Sequence, residues 1–144
     1  MTPTALSSWQ FWAILSAVFA ALTAIFAKVG VANVNADLAT FIRTVVILLT
    51  LALILLATGQ FRAPGSISAK TYLFLVLSGL ATGGSWICYF RALQLGNASR
   101  VAPIDKLSVV LVAIFGVVFL GESLSAANWL GVALIAIGAL LIAY

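Results

Sequence analysis

The stretch VAPIDKLSVVLVAIFGVVFL, residues 101–120, decides which kind of fold this chain can adopt. From Leu107 onward it is apolar except for one serine, and its length matches the roughly 20 residues that an α-helix needs to cross a hydrocarbon core of about 30 Å. Asp105 and Lys106 stand side by side near its start, although charged groups are costly inside a membrane. The stretch therefore predicts a transmembrane helix that carries two charges about one turn, or ~6 Å, inside the apolar region.

Four further apolar runs of similar length surround this stretch. The chain is 65% hydrophobic and 7% charged, whereas soluble domains are about half apolar and a quarter charged. The runs lack the alternation of barrel strands, and open strands cannot cross lipid. We predict one all-α integral membrane domain over residues 1–144, with five transmembrane helices at about 9–28, 38–58, 72–95, 101–120 and 126–144. No basic residue precedes the first run, so we expect a retained helix and not a signal peptide.

The composition argues against several classes of function. There is no histidine, and Cys88 is the single cysteine, so the sequence predicts no metal site and no cofactor. No nucleophile–base pair or pair of carboxylates is evident, so we do not expect an enzyme. The basic residues form no dense stripe, which argues against nucleic acid as a partner. The expected partners are the lipid bilayer and a small-molecule substrate.

The charges give the chain a weak preference for one orientation in the membrane. Five spans place the termini on opposite sides. One side holds Arg62 and Lys70, and the other holds Lys28, Arg43, Arg91, Arg100 and Lys106. Without Arg43 and Lys106, which lie inside spans, the count is three against two. Because loop lysines and arginines set orientation, so small a bias predicts insertion in both orientations.

The charges at the second of these ends form the first candidate site: Lys28, Arg43, Arg91, Asp105 and Lys106. Adjacent residues on a helix point about 100° apart, so Asp105 and Lys106 are expected to be poor partners for each other. The preferred partner of Asp105 is Arg43 or Lys28. Two interpretations stay open, a structural ion pair with lysines reaching the headgroups, and a water-filled pathway that handles ions or substrate. The excess of cations favours anionic or zwitterionic groups.

The third span offers a second candidate surface. Thr82, Ser85, Trp86 and Tyr89 recur at three- and four-residue spacing, so they share one broad helix face. Aromatic rings with hydroxyl groups suit an amphipathic ligand, and these residues are the predicted substrate site. The alternative is that the rings pack between helices while the hydroxyls bond to backbone.

Three polar residues at helix ends are predicted to be structural. Asp37 precedes the second span and is expected to be its N-cap, as Ser125 is for the last span. Glu122 follows the fourth span, where a carboxylate opposes the helix dipole. We therefore expect Glu122 to serve the loop or the start of the last span.

The sequence YFRALQLGNASRVAPIDKLSVVLVAIFGVVFLGESLSAANWLGVALIAIGALLI, residues 89–142, resembles an EamA-type unit of the drug/metabolite transporter superfamily. The similarity lies in the aromatic-Arg-Ala-Leu ending of the third span, the VAPI opening of the fourth, the GE after it and the glycine spacing of the last helix. The resemblance implies a multi-pass transporter of metabolites or amphipathic compounds in the bacterial inner (cytoplasmic) membrane. Larger members carry two such units in inverted orientation, with the site at their interface.

The resemblance also implies that a single unit needs a second copy. An antiparallel homodimer, ten helices in all, would supply it and work by alternating access. The alternative is a non-transporting membrane subunit or scaffold that pairs with another half-size chain. The related small multidrug resistance proteins have a glutamate two turns before the residue that matches Lys28, where this chain has Ala20. Proton-coupled export of organic cations by that carboxylate is therefore not implied.

Overall fold

The computed structural model describes residues 8–61 and 67–144, and in these residues all regular structure is helical. The helices are α1 (Trp9–Gly30), α2 (Ala36–Ala57), α3 (Ala69–Leu95), α4 (Ala98–Asp105), α5 (Ser108–Leu120) and α6 (Ala126–Ala143). Together α4 and α5 form one apolar segment, so the described residues contain five segments long and apolar enough to cross a membrane. The predicted all-α fold with five spans is confirmed. Arg62, in the second loop, lies outside the described residues.

The helices α2, α3 and α4 each begin two or three residues earlier than predicted. At α2 the reason is its cap: the side-chain oxygen of Asn35 accepts hydrogen bonds from the amides of Asp37 (2.9 Å) and Leu38 (3.2 Å). The prediction that Asp37 is the N-cap was wrong, because Asn35 satisfies the free amides of this helix end. Ser125 does cap α6, since its hydroxyl oxygen accepts from the amide of Asn128 at 3.2 Å.

The fourth span is interrupted, whereas the sequence predicted one continuous helix. Between α4 and α5 the amide of Lys106 bonds to the carbonyl of Pro103 (3.1 Å), and the amide of Leu107 bonds to that of Ile104 (3.0 Å). These three-residue steps are 3₁₀ geometry, which is tighter than an α-helix. Because α4 begins at Ala98, Pro103 lies inside the helix and not in its first turn. A proline there has no amide to donate to the carbonyl of Ser99, so one bond is missing from the ladder on the N-terminal side of Pro103.

The chain divides into two compact units, residues up to Lys28 with Leu95–Tyr144, and Val29–Gln94. In the first unit α6 packs against both α4 and α5. The second unit contains α2 and nearly all of α3.

Few side chains are buried within the molecule, and these are mostly small or near helix ends. Leu93 and Val31 are 0% and 1% exposed, while the large apolar side chains along all five spans are mostly exposed. A helix whose apolar surface is uncovered on several faces is suited to lipid or to another membrane helix. The distribution of burial therefore agrees with a protein embedded in a bilayer.

Candidate substrate site

The loop between α1 and α2 and the first turn of α2 are fastened to the last turns of α3. The Nη2 atom of Arg91 donates to both carboxylate oxygens of Asp37, each at 3.0 Å. The side-chain amide of Gln94 donates to the carbonyls of Val31 (3.2 Å) and Val34 (2.7 Å). We call these four bonds the helix-end contacts. Because Arg91 is neutralised here by a carboxylate of the same unit, its contact is that of a structural residue.

A second contact joins α2 and α3 deeper in the spans. The guanidinium carbon of Arg43 lies 3.2 Å from the centroid of the Trp86 ring. The ring of Trp86 meets that of Tyr89 edge to face at 5.5 Å. Arg43 is seven residues after the first residue of α2, which corresponds to about 10 Å along the helix. Arg43, Trp86 and Tyr89 are called the arginine–tryptophan site below.

The charge of Arg43 is not balanced by a carboxylate within the described residues. The ion pairs found in residues 8–61 and 67–144 are Arg91 with Asp37 and Lys106 with Asp105. Arg43 has the ring of Trp86 instead, and a ring face attracts a cation but accepts few of the five N–H donors of a guanidinium. Its side chain is half-buried. Arg43 therefore presents a positive charge and free donors inside a membrane span, which suits an anionic group.

The two hydroxyl residues of the predicted substrate surface differ. The hydroxyl of Thr82 donates to the carbonyl of Ser78 at 2.8 Å, so it is occupied by its own helix, as the packing alternative proposed. Ser85 is exposed on the same helix, next to Trp86. The Trp86 ring also rests on that of Phe90, which is buried. Phe90 thus packs against the ring of Trp86. Of the two hydroxyl groups, that of Ser85 is the better placed to contact a ligand.

The predicted site residues of the other unit, Lys28, Asp105 and Lys106, have local partners. Lys28, at the end of α1, donates to the carbonyl of Gly96 at 2.8 Å. This carbonyl follows the last residue of α3, where helix ends leave acceptors that basic side chains satisfy. Lys28 therefore holds the link between α3 and α4 against α1.

The structure corrects the predicted partners of Asp105. The amine of Lys106 lies 3.1 Å from a carboxylate oxygen of Asp105, so the expectation that these neighbours are poor partners was wrong. That expectation assumed a continuous helix with 100° between successive side chains. The helix ends at Asp105 and the chain tightens at Lys106, which allows the two side chains to meet. The partners predicted for Asp105 were Arg43 and Lys28, and the structure pairs it with Lys106.

Glu122 also departs from its predicted place. Gly121 ends α5 in the left-handed conformation, at φ +69°, and the amide of Glu122 bonds to the carbonyl of Gly116 at 3.1 Å. The carboxylate folds back along α5, and one oxygen lies 2.5 Å from the position that a Cβ would take at residue 116. The expectation that Glu122 serves the loop or the start of the last span was wrong. It lies against its own span because Gly116 leaves room for it.

Comparison with known proteins identifies the family. Residues 7–144 match the model of the EamA-like transporter family. The chain belongs to this family. It is 70% identical over 136 residues to an "Uncharacterized transporter in cobO 3'region" from Sinorhizobium sp, an alignment that covers 94% of this chain and 96% of that protein. No solved structure matches the chain.

Family membership confirms the resemblance drawn from residues 89–142. This EamA-like chain is a multi-pass membrane protein of a transporter family, which agrees with the predicted bilayer and small-molecule partners. Gln94 and Gly116 were missed in the sequence. The signal for Gln94 is its position three residues after Arg91, which puts both on one helix face. For Gly116 the sequence offers only a glycine six residues before a carboxylate.

Proposed function

We propose that two copies of this EamA-like chain, inserted in opposite orientations in the bacterial cytoplasmic membrane, form a secondary transporter. It moves small amphipathic metabolites by alternating access, and it prefers anionic or zwitterionic ones. The observation that carries the proposal is the arginine–tryptophan site. A half-buried arginine within a span, with a ring for a partner and no carboxylate partner among the described residues, suits ligand binding, whereas a scaffold has no need of such a charge.

The proposed ligand binds with its charged group at Arg43 and its apolar body at Trp86 and Tyr89. A charge-assisted hydrogen bond to the guanidinium orients the ligand, and the rings supply contact area. Ser85 adds a donor beside Trp86, while Thr82 shapes the helix face with its methyl group. The site residues are those that the sequence predicted, with Arg43 now grouped with the substrate surface and not with Asp105.

The interruption of the fourth span supports a moving part. Short 3₁₀ stretches inside helices often mark hinges, because their weaker bonds bend more easily. The turn at Lys106 and Leu107 lies next to the Asp105–Lys106 pair. We propose that α4 and α5 bend here as the site turns from one side of the membrane to the other. Asp105, Lys106 and Lys28 then act in coupling or gating and do not touch the substrate.

The weak orientation bias supports the opposite insertion of two copies. Loop charges of three against two give the insertion machinery little preference, so both orientations are expected in one membrane. A pair of inverted copies reproduces the arrangement of two-unit members of the superfamily, in which the site forms at the interface.

Transport by the purified protein in liposomes tests the proposal. Three labelled probes share a phenyl ring and differ in charge: phenylacetate, phenylalanine and phenethylamine. We expect phenylacetate and phenylalanine to cross faster than in empty vesicles, and phenethylamine not to. Trp86→Leu should lower the rate about tenfold, since contacts between aromatic rings and cation–π contacts are worth roughly 1–2 kcal/mol.

The matched control is Trp9→Leu, which removes an exposed tryptophan near the start of α1. Its transport should equal that of the wild type. If none of the three probes crosses in wild-type vesicles, and none changes the tryptophan fluorescence of the protein, the transport proposal fails. The non-transporting subunit is then the better description.

A further inference from the structure

The surface of α5 around Glu122 is a groove that nothing in the described chain fills. Its volume is about 340 Å³, and it is lined by Val112, Phe115, Gly116, Phe119, Leu120 and Glu122. The rings of Phe115 and Phe119 are exposed along it. One carboxylate thus lies at the edge of an otherwise apolar surface.

This carboxylate is unsuited to lipid. It folds back to Gly116, four residues or about 6 Å before the end of α5. A charge among apolar side chains at that depth is costly unless it is paired. Glu122 belongs to neither of the two ion pairs in residues 8–61 and 67–144. The groove is therefore complementary to an apolar surface that carries a cation.

Most cations of the described chain already have a local partner. Lys28 is bound to the Gly96 carbonyl, Arg43 lies on Trp86, and Arg91 and Lys106 pair with carboxylates. Arg100 and Lys70 are exposed and take part in no ion pair of the described residues. These two residues are therefore the candidate cations for pairing with Glu122. They differ in their position relative to Glu122 along the membrane normal.

The fourth span separates Arg100 from Glu122 by the thickness of the membrane. The span Ala98–Leu120 has 23 residues, which makes it about 34 Å long at 1.5 Å per residue. Arg100 lies in its first turn and Glu122 just past its end. An inverted copy beside it brings the opposite ends together, so that each Glu122 meets an Arg100. A second copy in the same orientation would place its Glu122 beside the first Glu122. By the count of spans, Lys70 lies on that same side of the membrane, so in such a pair Glu122 could meet Lys70 of the other copy.

We propose that the α5 groove is a contact surface between two inverted copies of this chain, in which Glu122 of one copy pairs with the partner's Arg100. The pair forms twice, as a two-fold axis in the membrane plane requires, because each copy gives one acid and one base. Apolar side chains of the partner fill the groove above Gly116. The inference rests on the antiparallel dimer of the proposed function and adds the surface through which it forms.

Cysteine cross-linking tests the surface while both charges stay in place. In a Cys88→Ala background, Ser123→Cys stands next to Glu122, and Ser99→Cys next to Arg100. Chains with one of these substitutions each, carrying different tags, are produced together in membranes and treated with a short thiol cross-linker. We expect Ser123→Cys chains to cross-link to Ser99→Cys chains, and neither to cross-link to itself.

The matched control is Ala69→Cys, next to Lys70. Cross-links of Ser123→Cys with Ala69→Cys of another chain, or with a second Ser123→Cys, would show a parallel pair and overturn the proposal. The absence of any cross-link between copies would also overturn it, and would leave lipid as the occupant of the groove.

Charge reversal tests the pair itself. Glu122→Arg and Arg100→Glu should each lower the cross-linked fraction about tenfold, because like charges then face each other across the interface. The doubly reversed chain should return to within about twofold of the wild type, since the pair is restored with opposite sign. A double variant no better than the single ones would contradict the pairing.

Failure of this surface and failure of the proposed function are distinguishable. If the liposomes transport phenylacetate while the cross-links show a parallel pair, the transport proposal is supported and the proposed contact surface is contradicted. If the antiparallel cross-links form while no probe crosses, the surface stands and the transport proposal falls.

Discussion

Arg43 and Arg91 each form a contact between α2 and α3, but the partner of Arg91 is a carboxylate and that of Arg43 is an aromatic ring. Arg91, on α3, meets the carboxylate of Asp37 on α2 at the helix ends. Arg43, on α2, contacts the ring of Trp86 on α3 more than a turn deeper, and it has no carboxylate partner within residues 8–61 and 67–144. The neutral pair holds two helices together. An arginine in the deeper position with no carboxylate partner in the described residues is expected to cost stability, and the proposed function gives it a role in binding.

The largest effect is expected where the comparison is sharpest, at Arg43. Arg43→Gln keeps a polar side chain over Trp86 and removes the charge. We expect the affinity for phenylacetate, measured by quenching of tryptophan fluorescence, to fall roughly tenfold to a hundredfold, because hydrogen bonds to charged groups are worth about 1.5–3 kcal/mol. Arg43→Lys should lie in between, since it keeps the charge but loses the planar fork.

The control for this variant is Lys70→Gln, which removes an exposed cation of the same unit. Its affinity for phenylacetate should equal that of the wild type. Equal losses in both variants would mean that net charge, and not the arginine–tryptophan site, attracts the anion. The thermal unfolding temperature of Arg43→Gln in detergent should equal or exceed that of the wild type, because a costly charge has been removed.

A smaller effect, on stability alone, is expected at Gln94. Gln94→Ala removes the side-chain donor of the Val31 and Val34 carbonyls, although the carbonyl of Val31 still accepts from the amide of Val34 at 3.5 Å. The loss of two hydrogen bonds between α3 and the loop before α2 should lower the free energy of unfolding by about 1–2 kcal/mol, since side-chain hydrogen bonds in membrane proteins average about 0.6 and reach about 1.7 kcal/mol each. The measurement is an unfolding titration with SDS, followed by circular dichroism. A matched loss of phenylacetate affinity would contradict the separation between the helix-end contacts and the arginine–tryptophan site.

The smallest effect is expected at Asp37. Asp37→Asn breaks the pair with Arg91, whose side chain is 61% exposed while that of Asp37 is 52% exposed. Exposed ion pairs contribute about 0–1 kcal/mol, so the free energy of unfolding should fall by no more than that, and less at high salt. Ligand affinity should not change. A tenfold change in affinity would show that Arg91 also reaches the ligand, and the two arginines would then belong to one site.

The sequence predicted which residues of α3 share a face, but not which residue of another helix contacts that face. Thr82, Ser85, Trp86 and Tyr89 do share one face of α3, because helical periodicity fixes which residues of one helix stand together. Arg43 and Trp86 lie on two different helices and are 43 positions apart in the chain. No periodicity within either helix determines how the two are rotated about their axes. The sequence therefore identified both residues as candidates, but it offered Arg43 or Lys28 as the partner of Asp105.

The errors at Asp105, Asp37 and Glu122 all concern residues at helix ends. The prediction for Asp105 assumed a helix without a break, that for Asp37 placed the start of α2 two residues too late, and that for Glu122 missed the turn after a correctly placed end. At Asp105 the 3₁₀ turn brings Lys106 to its side, at Asp37 the cap is Asn35, and at Glu122 the left-handed Gly121 turns the chain back on α5. Side chains at helix ends change partners when the boundary moves by one residue, whereas side chains in the middle of a span do not.

The amino-acid sequence by itself determined the all-α membrane fold with five spans that residues 8–61 and 67–144 show, since apolar runs of spanning length have helices as their one stable form in lipid. It also determined the family, through motifs that lie within single helices and turns. Only the tertiary structure decided which charges are neutralised and which stay available. That outcome depends on where each helix ends and how it is rotated against its neighbour, and both are set by packing between segments far apart in the chain.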